Sequence, residues 1–320
     1  MKPVALVVES EFYPPDSLQK LAEKTTIITS KAITQEQLRS ELLQNDAEIL
    51  FCGLGISINQ SLLDMVANIK YLVSPATGTN HLDINYLESR NIKVIHLGQF
   101  TDQISNVFST AELTWSLLLA VVRKIVPAQT SVTLGNFDRR PFLGIDLSGR
   151  TLGIIGFGRL GRRVADYGLA FGMRVVVCDT DEAKISKLQG GVTAKNLDEL
   201  LEMSDVVTVH APLNSKTEGL LDRAKISKIK SGAVLINTSR GELVDEVSIV
   251  EALKTGKLYG VGTDVLVGEN AENFSATDSP LVKAALQNLN VVVTPHIGGW
   301  AKDAVSTTRS LVVDELLRKL

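Results

Sequence analysis

The stretch from Thr151 to Asp179 constrains the fold of this 320-residue chain more than any other stretch. It reads TLGIIGFGRLGRRVADYGLAFGMRVVVCD. Its first residues form an apolar run typical of a buried parallel strand, and three glycines with GxGxxG spacing follow at Gly156, Gly158 and Gly161. The first glycine permits a tight turn, the second lets a pyrophosphate approach the backbone, and the third lets helix and strand pack closely. The spacing therefore predicts a phosphate-binding turn at the start of a helix.

The residues after the glycines complete a βαβ unit. A helix predicted from about Leu160 to Phe171 offers N–H groups and the positive end of its dipole to a phosphate. A second β-rich run, Met173 to Cys178, leads to Asp179, where an acid can accept the ribose hydroxyls of an adenosine. Together these parts predict a dinucleotide-binding domain, and Asp179 favours NAD over NADP because it would repel a 2′-phosphate. A glycine-rich turn in another kind of α/β protein is the alternative.

Composition narrows the class of protein. A net charge of −3 gives no electrostatic reason to expect nucleic acid or an anionic membrane as a partner. The two cysteines, Cys52 and Cys178, lie in strand-like runs, which favours a reducing compartment over a disulfide framework. No apolar stretch approaches the ~20 residues of a membrane span, and the first residues do not resemble a signal peptide. His, Cys and acidic residues show no metal-ligand spacing. We expect a cytoplasmic protein without a metal.

The first hundred residues alternate strand-like and helix-like runs, which predicts a doubly wound parallel α/β domain. The predicted strands are Val4 to Val8, Thr26 to Thr29, Glu48 to Cys52, Tyr71 to Ser74 and Lys93 to His96. Because no GxGxxG occurs there, this domain is not expected to bind the cofactor. The turn SPATGTNHLD, residues 74–83, packs small residues around Gly78 at a strand end, where a backbone nest could hold a carboxylate. A routine turn without a ligand is the alternative.

The alternation continues after the βαβ unit and predicts a Rossmann sheet of six or seven strands. Further strands are predicted at Val206 to His210, Ala233 to Asn237, Tyr259 to Asp264 and Val291 to Thr294, with a short one near Val192. Ahead of this sheet, Phe108 to Lys124 is predicted to be a long helix, apolar on more than one face. The segment from Pro127 to Ser148 has weak periodicity and is interpreted as a loop that contacts a second subunit, or else as a mobile surface loop.

Three polar residues follow late strands, at the edge where a doubly wound fold places its site. Arg240 could bind a carboxylate through its planar fork and polarise an adjacent ketone. His296 is the side chain best suited to proton transfer near neutral pH, and Glu269 could fix its tautomer. Each also has a purely structural interpretation, as a surface ion pair, a turn histidine and a solvated acid respectively.

With these features the chain resembles the D-isomer-specific 2-hydroxyacid dehydrogenases, a family that includes phosphoglycerate, glycerate and D-lactate dehydrogenases and glyoxylate/hydroxypyruvate reductases. The resemblance covers nearly the whole length. Its motifs are ATGTNHLD at residues 76–83, NVFSTAELTWSLLLAVVR at 106–123, LSGRTLGIIGFGRLG at 147–161, HAPLNSKTEGLL at 210–221, INTSRGELVDE at 236–246, DVxxxE at 264–269 and TPHIGG at 294–299.

The resemblance implies a role for individual residues. Arg240, Glu269 and His296 would be the catalytic trio, and the amides around Thr77 and Gly78 would hold the substrate carboxylate. His210 would have a structural or adenine-side role rather than a catalytic one. The residues assigned to the cofactor are Thr110, Gly156, Gly158, Arg159, Leu160, Gly161, Asp179, His210, Pro212, Thr217, Thr238 and Asp264, of which Thr110 and Asp264 would lie against the nicotinamide.

The resemblance also implies an architecture and an activity. Residues 1–100 and 295–320 would form a flavodoxin-like substrate domain into which a Rossmann NAD-binding domain, residues 101–294, is inserted. The expected protein is a homodimeric, NAD-dependent oxidoreductase that interconverts a small 2-oxo acid and its D-2-hydroxy acid. The alternative is an NADH-sensing binding protein related to the dehydrogenase-like corepressors. Trp300 stands where small residues are frequent in the family, so the size of the substrate is left open.

Overall fold

The computed structural model describes residues 2–186, 188, 190–271 and 273–320. Within these described residues, twelve strands form two parallel sheets. The strands are β1 Val4–Val8, β2 Thr26–Ser30, β3 Ile49–Phe51, β4 Tyr71–Ser74, β5 Lys93–His96, β6 Thr151–Ile155, β7 Arg174–Cys178, β8 Val192–Ala194, β9 Val206–Val209, β10 Ala233–Asn237, β11 Leu258–Thr263 and β12 Val291–Val293.

The helices alternate with these strands. They are α1 Pro15–Lys24, α2 Gln35–Gln44, α3 Gln60–Leu63, α4 Ile84–Ser89, α5 Ser109–Val122, α6 Ile125–Thr133, α7 Arg159–Ala170, α8 Glu182–Ile185, α9 Leu197–Met203, α10 Arg223–Lys228, α11 Glu246–Lys254, α12 Pro280–Leu286 and α13 Lys302–Lys319. Within the described part of the chain, no helix combines the length and the apolar character needed to cross a membrane.

The chain divides into two compact units. Unit 1 comprises Met1–Val107, Asn270–Phe274 and Trp300–Leu320, and unit 2 comprises Phe108–Glu269 and Ser275–Gly299. The five-stranded sheet of unit 1 has the order β2-β1-β3-β4-β5, which is the flavodoxin-like order. Its inner strands β1, β3 and β4 are mainly apolar and almost fully buried because both faces are covered, whereas the edge strands β2 and β5 also carry exposed polar residues. In β1, for example, Leu6 packs into one core cluster and Val7 into the other.

Unit 2 contains the seven-stranded sheet, with the order β12-β11-β10-β9-β6-β7-β8. This is the Rossmann order with one further strand, and the strand order reverses between β6 and β9. Buried side chains cover both faces of the sheet. The predicted fold class, two doubly wound parallel-sheet domains, is confirmed.

The C-terminal helix α13 belongs to unit 1 and packs on α1. Ser17 Oγ lies 3.0 Å from Ser310 Oγ, and the Lys24 ammonium donates to the Leu317 carbonyl at 2.8 Å. Val312 and Leu316 are fully buried in the same core cluster as Val7. The last helix therefore completes one face of the sheet that the first strand begins.

One local prediction was incomplete. The segment from Pro127 to Ser148 was interpreted as a loop, but its first part lies in α6, Ile125–Thr133. Pro127 is in the first turn of that helix, where the missing N–H of proline removes no intrahelical hydrogen bond. Pro127 and weak periodicity therefore concealed a helix, and farther along the segment Arg140–Phe142 forms a 3-10 helix, while the remaining residues are turns or have no regular secondary structure.

Candidate active site

The three glycines of the βαβ unit have the geometry of a phosphate-binding turn. Gly156 has φ +93°, and its N–H bonds to the Cys178 carbonyl at 2.8 Å. A Cβ at Gly161 would fall inside van der Waals contact with the Gly156 carbonyl oxygen, so α7 and β6 touch through backbone. A Cβ at Gly158 would meet nothing within 4 Å. The turn is therefore packed on one side and open at its middle glycine, as the approach of a pyrophosphate requires.

Helix α7 begins directly after this turn. Its N-cap is Gly158, no side chain caps it, and Arg159 and Leu160 are its first residues. Burial lowers the pKa of the Arg159 guanidinium from its ordinary value. An anion placed at this helix end would gain both backbone donors and the helix dipole.

Asp179 closes the unit at the end of β7. Its carboxylate accepts from the backbone N–H of Phe157 at 2.7 Å and of Asp181 at 2.9 Å, and the Lys184 ammonium lies 3.4 Å away. Burial opposes ionisation of Asp179, but these two N–H groups and Lys184 hold its pKa below the ordinary value. The acid is therefore ionised and fixed beside the glycine turn.

His210 lies where the strand order reverses. Its N–H bonds to the Ile155 carbonyl at 2.7 Å, and Gly156 packs against its backbone so closely that a Cβ there would lie 2.7 Å from the His210 carbonyl carbon. The ring is 2.9 Å from Thr208 Oγ1 through Nε2, while the buried Nδ1 has no hydrogen-bond partner among the described residues. Burial lowers the pKa of His210 to about 4, so the ring is neutral. Farther along, Thr217 Oγ1 donates to the Pro212 carbonyl at 2.6 Å.

Asp264 fastens the loop that carries His296. This carboxylate, 1% exposed, accepts from Thr294 Oγ1 at 2.6 Å, from the Ile297 N–H at 2.8 Å and from the Gly298 N–H at 2.7 Å. Burial raises the pKa of Asp264 although these hydrogen bonds oppose the effect. Its carbonyl accepts from the His296 N–H at 2.9 Å.

Thr110 lies beside this loop. A Cβ at Gly298 would be 3.1 Å from both the Asp264 carboxylate and the Thr110 methyl group. Thr114 connects the same helix to Thr238, with 2.8 Å between the two hydroxyl oxygens. The structure therefore brings together three of the residues assigned to the cofactor, namely Thr110, Thr238 and Asp264.

His296 and Glu269 form a close pair. His296 Nδ1 lies 2.5 Å from Glu269 Oε1, and the other carboxylate oxygen accepts from the Leu266 N–H at 3.0 Å. The backbone of His296 is left-handed, with φ +52°. Non-glycine residues adopt that region infrequently, and such strain concentrates at functional sites. The carboxylate fixes Nδ1 as the donor and leaves Nε2 as the nitrogen able to exchange a proton with a substrate.

Arg240 follows β10 in the same unit. Its side chain donates to the Ser239 carbonyl at 2.6 Å, and its own carbonyl accepts from the Asn237 amide at 2.8 Å. Burial lowers the pKa of Arg240, while the charges of Glu269 and Glu242 oppose that shift. The negative charge of Glu269, the carboxylate that pairs with His296, therefore acts on the Arg240 guanidinium.

Sequence reasoning missed two acids that position Glu269. Glu246 Oε1 accepts from the Val267 N–H at 2.9 Å, and Glu242 Oε1 accepts from the Gly268 N–H at 3.2 Å. At Gly241 a Cβ would overlap the backbone of this loop. The only sequence signal was the acid spacing within GELVDE, which does not reveal a contact across some twenty residues.

Thr77 and Gly78 belong to unit 1 and follow β4. The Leu97 N–H bonds to the Ala76 carbonyl at 3.0 Å, which ties their turn to the end of β5. Burial lowers the pKa of His96, and a hydrogen bond to the Thr77 backbone opposes that shift. Beneath the turn, the buried ring of His81 lies 3.1 Å from Ser74 Oγ. The turn is thus held from two sides.

Comparison with known proteins agrees with this geometry. Residues 115–298 match the NAD binding domain of the D-isomer specific 2-hydroxyacid dehydrogenases. A D-3-phosphoglycerate dehydrogenase of Bacillus subtilis is 32% identical over 315 residues, covering 98% of this chain and 56% of that protein. A hydroxypyruvate reductase of Thermotoga maritima is 30% identical over 312 residues, covering 95% and 96%. The crystal structure of a D-lactate dehydrogenase from Aquifex aeolicus, complexed with NAD and lactic acid, superposes with a TM-score of 0.81 at 28% identity, covering 98% and 95%.

The matches differ in how much of each relative's length this chain covers. The chain spans 51–56% of the length of three D-3-phosphoglycerate dehydrogenases, but almost the whole of the hydroxypyruvate reductase. These relatives are oxidoreductases by name and give no support to the alternative of a cofactor-sensing binding protein. The matched NAD binding domain contains the glycine turn, Asp179, Arg240 and the Glu269–His296 pair. The chain therefore belongs to the D-isomer specific 2-hydroxyacid dehydrogenase family.

Proposed function

We propose that the protein is an NAD-dependent oxidoreductase that interconverts a small 2-oxo acid and its D-2-hydroxy acid. The observation that carries this proposal is the 2.5 Å pair between His296 Nδ1 and Glu269 Oε1, with Arg240 in the same unit. A histidine held in one tautomer by a carboxylate is the arrangement of an acid/base catalyst. A guanidinium supplies what a 2-oxo acid needs in addition, a planar fork for a carboxylate and a positive charge for a polarised carbonyl.

The residues divide the chemistry among themselves. When bound, NADH supplies the hydride for reduction of the substrate carbonyl. Arg240 orients the substrate and draws negative charge toward the carbonyl oxygen. His296, protonated on both nitrogens, donates the Nε2 proton to that oxygen, while Glu269 keeps Nδ1 as a donor and stabilises the imidazolium. In the oxidative direction neutral His296 accepts the hydroxyl proton at Nε2.

We propose NAD as the preferred cofactor. The Asp179 side chain lies beside the glycine turn, is only 9% exposed and has a pKa below its ordinary value, so it would accept the 2′-hydroxyl of NAD and repel the 2′-phosphate of NADP. Two arginines of α7 contact aromatic rings, with the Arg162 guanidinium carbon 5.2 Å from the Phe157 ring centre and that of Arg163 4.0 Å from the Phe108 ring centre. Among the described side chains, the cation that pairs with Asp179 is Lys184, whose ammonium lies 3.4 Å from the carboxylate. Similar kcat/KM values with NADH and NADPH would contradict the preference.

We further assign the substrate role to the domain predicted at residues 1–100 and 295–320, and the cofactor role to residues 101–294. The amides around Thr77 and Gly78 bind the substrate carboxylate in this proposal. Support comes from the position of their turn at the carboxyl end of β4, where ligands of open α/β sheets bind, and from the contacts that hold it.

We also propose a homodimer formed through the helix predicted at Phe108 to Lys124, which contains α5, and the segment 127–148. Large apolar side chains of this segment are exposed, including Leu134 at 75%, Phe137 at 94% and Leu143 at 81%. Exposed apolar patches of this kind mark contact surfaces, and two-fold contacts are the most frequent. A monomeric mass by light scattering at micromolar concentration would refute the dimer.

Both cysteines are free, which supports a reducing, cytoplasmic location.

The activity is tested by NADH oxidation with a panel of 2-oxo acids, followed by chiral analysis of the product. We expect the D-isomer of a 2-hydroxy acid. Glu269→Gln should lower turnover strongly, whereas the matched control Glu251→Gln, on an exposed acid that pairs with Arg223, should not. Absence of turnover with every 2-oxo acid, in a protein that binds NADH, would refute the proposed function.

A further inference from the structure

The turn after β4 presents successive backbone amides that the protein itself does not use. Among the described residues, the N–H groups of Thr77, Gly78 and Thr79 donate to no protein atom. They lie at the carboxyl end of a parallel strand, the edge where ligands of open α/β sheets bind. Consecutive amides of a turn can bind one anion together when their N–H bonds point to the same side. The orientation of these peptides therefore decides whether the turn binds a carboxylate.

Two hydrogen bonds from the end of β5 fix that orientation. In a trans peptide, the carbonyl and the following N–H lie in one plane and point in opposite directions. The Thr77 N–H shares its peptide with the Ala76 carbonyl, which accepts from the Leu97 N–H at 3.0 Å. The Gly78 N–H shares its peptide with the Thr77 carbonyl, which accepts a hydrogen bond from the His96 ring. Both donors lie at the end of β5, so both N–H groups point away from it.

The His96 ring is itself held in one orientation. Its Nδ1 accepts from the Gly98 N–H at 3.2 Å, and the His96 N–H donates to the Gln99 side chain at 3.3 Å. These two bonds form a capping box at the 3-10 helix Leu97–Gln99. A neutral imidazole has one acceptor and one donor nitrogen, so acceptance at Nδ1 leaves the proton on the other nitrogen. Burial lowers the pKa of His96, which favours this neutral form.

Gly98 packs directly between the ring and the carbonyl. A Cβ at this position would lie 2.7 Å from the Thr77 carbonyl oxygen and 2.7 Å from His96 Cε1. Both distances are well inside van der Waals contact, so any larger residue would push the two groups apart. By contrast, a Cβ at Gly55 in the same unit would meet nothing within 4 Å. The contact of His96 with the turn therefore depends on glycine at position 98.

We propose that His96 is a positioning residue for the substrate, whose hydrogen bond to the Thr77 carbonyl aims the Gly78 N–H at the carboxylate of the 2-oxo acid. This inference rests on the proposed function, in which the amides around Thr77 and Gly78 bind that carboxylate. His96 does not touch the substrate and acts through the peptide between these two residues. A hydrogen bond to the carbonyl also polarises this peptide and strengthens its N–H as a donor. Bonds to an ionised acceptor are the strong ones, so their alignment determines affinity.

Two variants of His96 separate hydrogen bonding from packing. His96→Phe keeps a ring but has neither nitrogen. At saturating NADH, its KM for glyoxylate, the smallest 2-oxo acid, should rise about tenfold. Its kcat should change little, because the carboxylate is held equally in the ground and transition states. His96→Asn loses the ring but keeps one donor and one acceptor, so it should restore most of the affinity. A wild-type KM in His96→Phe, or a larger KM increase in His96→Asn, would overturn the proposal.

A change that leaves His96 in place gives an independent test. Gly98→Ala should raise KM in the manner of His96→Phe, because the added methyl group separates the ring from the Thr77 carbonyl. Gly55→Ala is the matched control and should leave KM and kcat unchanged. Calorimetric Tm values show whether each variant is folded, and unfolded molecules would lower the apparent kcat without raising KM. A wild-type KM in folded Gly98→Ala would contradict the role of this contact.

Amide chemical shifts make the test independent of turnover. Oxamate is an analogue of pyruvate that carries the same carboxylate. In isotope-labelled protein with NADH, oxamate should shift the Thr77 and Gly78 amide signals saturably, and the Gly78 response should shrink in His96→Phe. Unchanged signals of both amides at saturating oxamate would overturn this inference and leave the proposed oxidoreductase standing. The expected amide responses without reduction of any 2-oxo acid would keep the role of His96 and refute the proposed function.

Discussion

Two alanine substitutions in the glycine turn should separate packing from cofactor binding. At Gly161 an added Cβ would overlap the Gly156 carbonyl oxygen and lie 3.2 Å from the Ile154 side chain. Because backbone cannot move aside as a side chain can, we expect the cost of overpacking, about 1–3 kcal/mol. For a unit of this size that corresponds to a fall in Tm of roughly 2–12 °C. NADH binding should weaken as well, since α7 is pushed away from β6.

Gly158→Ala is the matched variant with the opposite stability outcome. Its φ of −81° and ψ of −157° are accessible to alanine, and the added Cβ meets nothing within 4 Å. We therefore expect the folded state to be unharmed, or stabilised by about 0.4–1 kcal/mol through the unfolded chain. The methyl group would nevertheless stand where the pyrophosphate approaches. Loss of one charge-assisted hydrogen bond, about 1.5–3 kcal/mol, should weaken NADH binding by roughly ten- to a hundredfold.

The assay pairs calorimetric Tm values with NADH fluorescence titrations for wild type and both variants. A Gly158→Ala protein that binds NADH as tightly as wild type would refute the assignment of this turn to the pyrophosphate. A Gly161→Ala protein with unchanged Tm would refute the packing argument without touching that assignment.

Three further predictions concern single side chains. Arg240→Lys should lose most activity although the charge is kept, because an ammonium lacks the planar fork. The control Arg223→Lys, at a 77% exposed side chain, should have activity near that of wild type. Near-native kinetics of Arg240→Lys would show that this residue does not belong to the site. Glu246→Gln should lower kcat more than it weakens NADH binding, because it loosens the loop that carries Glu269; equal losses in both quantities would speak against a positioning role. Burial lowers the pKa of His210 to about 4, so this ring stays neutral in the folded protein, while the unfolded chain takes up a proton below about pH 6.5. The stabilising contribution is therefore present at neutral pH. It is lost as the pH falls from about 6.5 to 4, which lowers the free energy of unfolding by up to about 3 kcal/mol. His210→Gln should show a shallower acid loss in urea unfolding, and parallel curves would contradict this.

Local patterns predicted the parts of the molecule that local physics determines. The βαβ unit could be predicted from the sequence because its glycines, strands and terminal acid lie within one stretch, and each glycine at that spacing is required by the geometry of the turn. The placement of His296 and Glu269 after strands β12 and β11 could also be predicted from the sequence, because parallel strands present their carboxyl ends at one edge.

Contacts between segments that are distant in the sequence could not be predicted from local patterns. The Phe12–Trp300 pair and the support of Glu269 by Glu246 join residues whose proximity depends on how whole loops fold. Likewise, the hydrogen bonds from Ile297 and Gly298 to Asp264 explain how His296 is held in a left-handed conformation, which no propensity indicates. Sequence reasoning therefore predicted the strand-end positions of the candidate catalytic residues better than the contacts that hold them in place.

The division of unit 1 among separate chain segments has a consequence for biosynthesis. Its core on one face of the sheet is closed by Val312 and Leu316, which pack with Val7 of the first strand. During translation, N-terminal residues emerge first, yet their apolar surface stays uncovered until α13 has left the ribosome. Unit 2, by contrast, has all its strands once residue 293 is made. Of the two units, the one whose synthesis begins first is therefore completed second, and in the interval its uncovered apolar surface is exposed to chaperones and to aggregation.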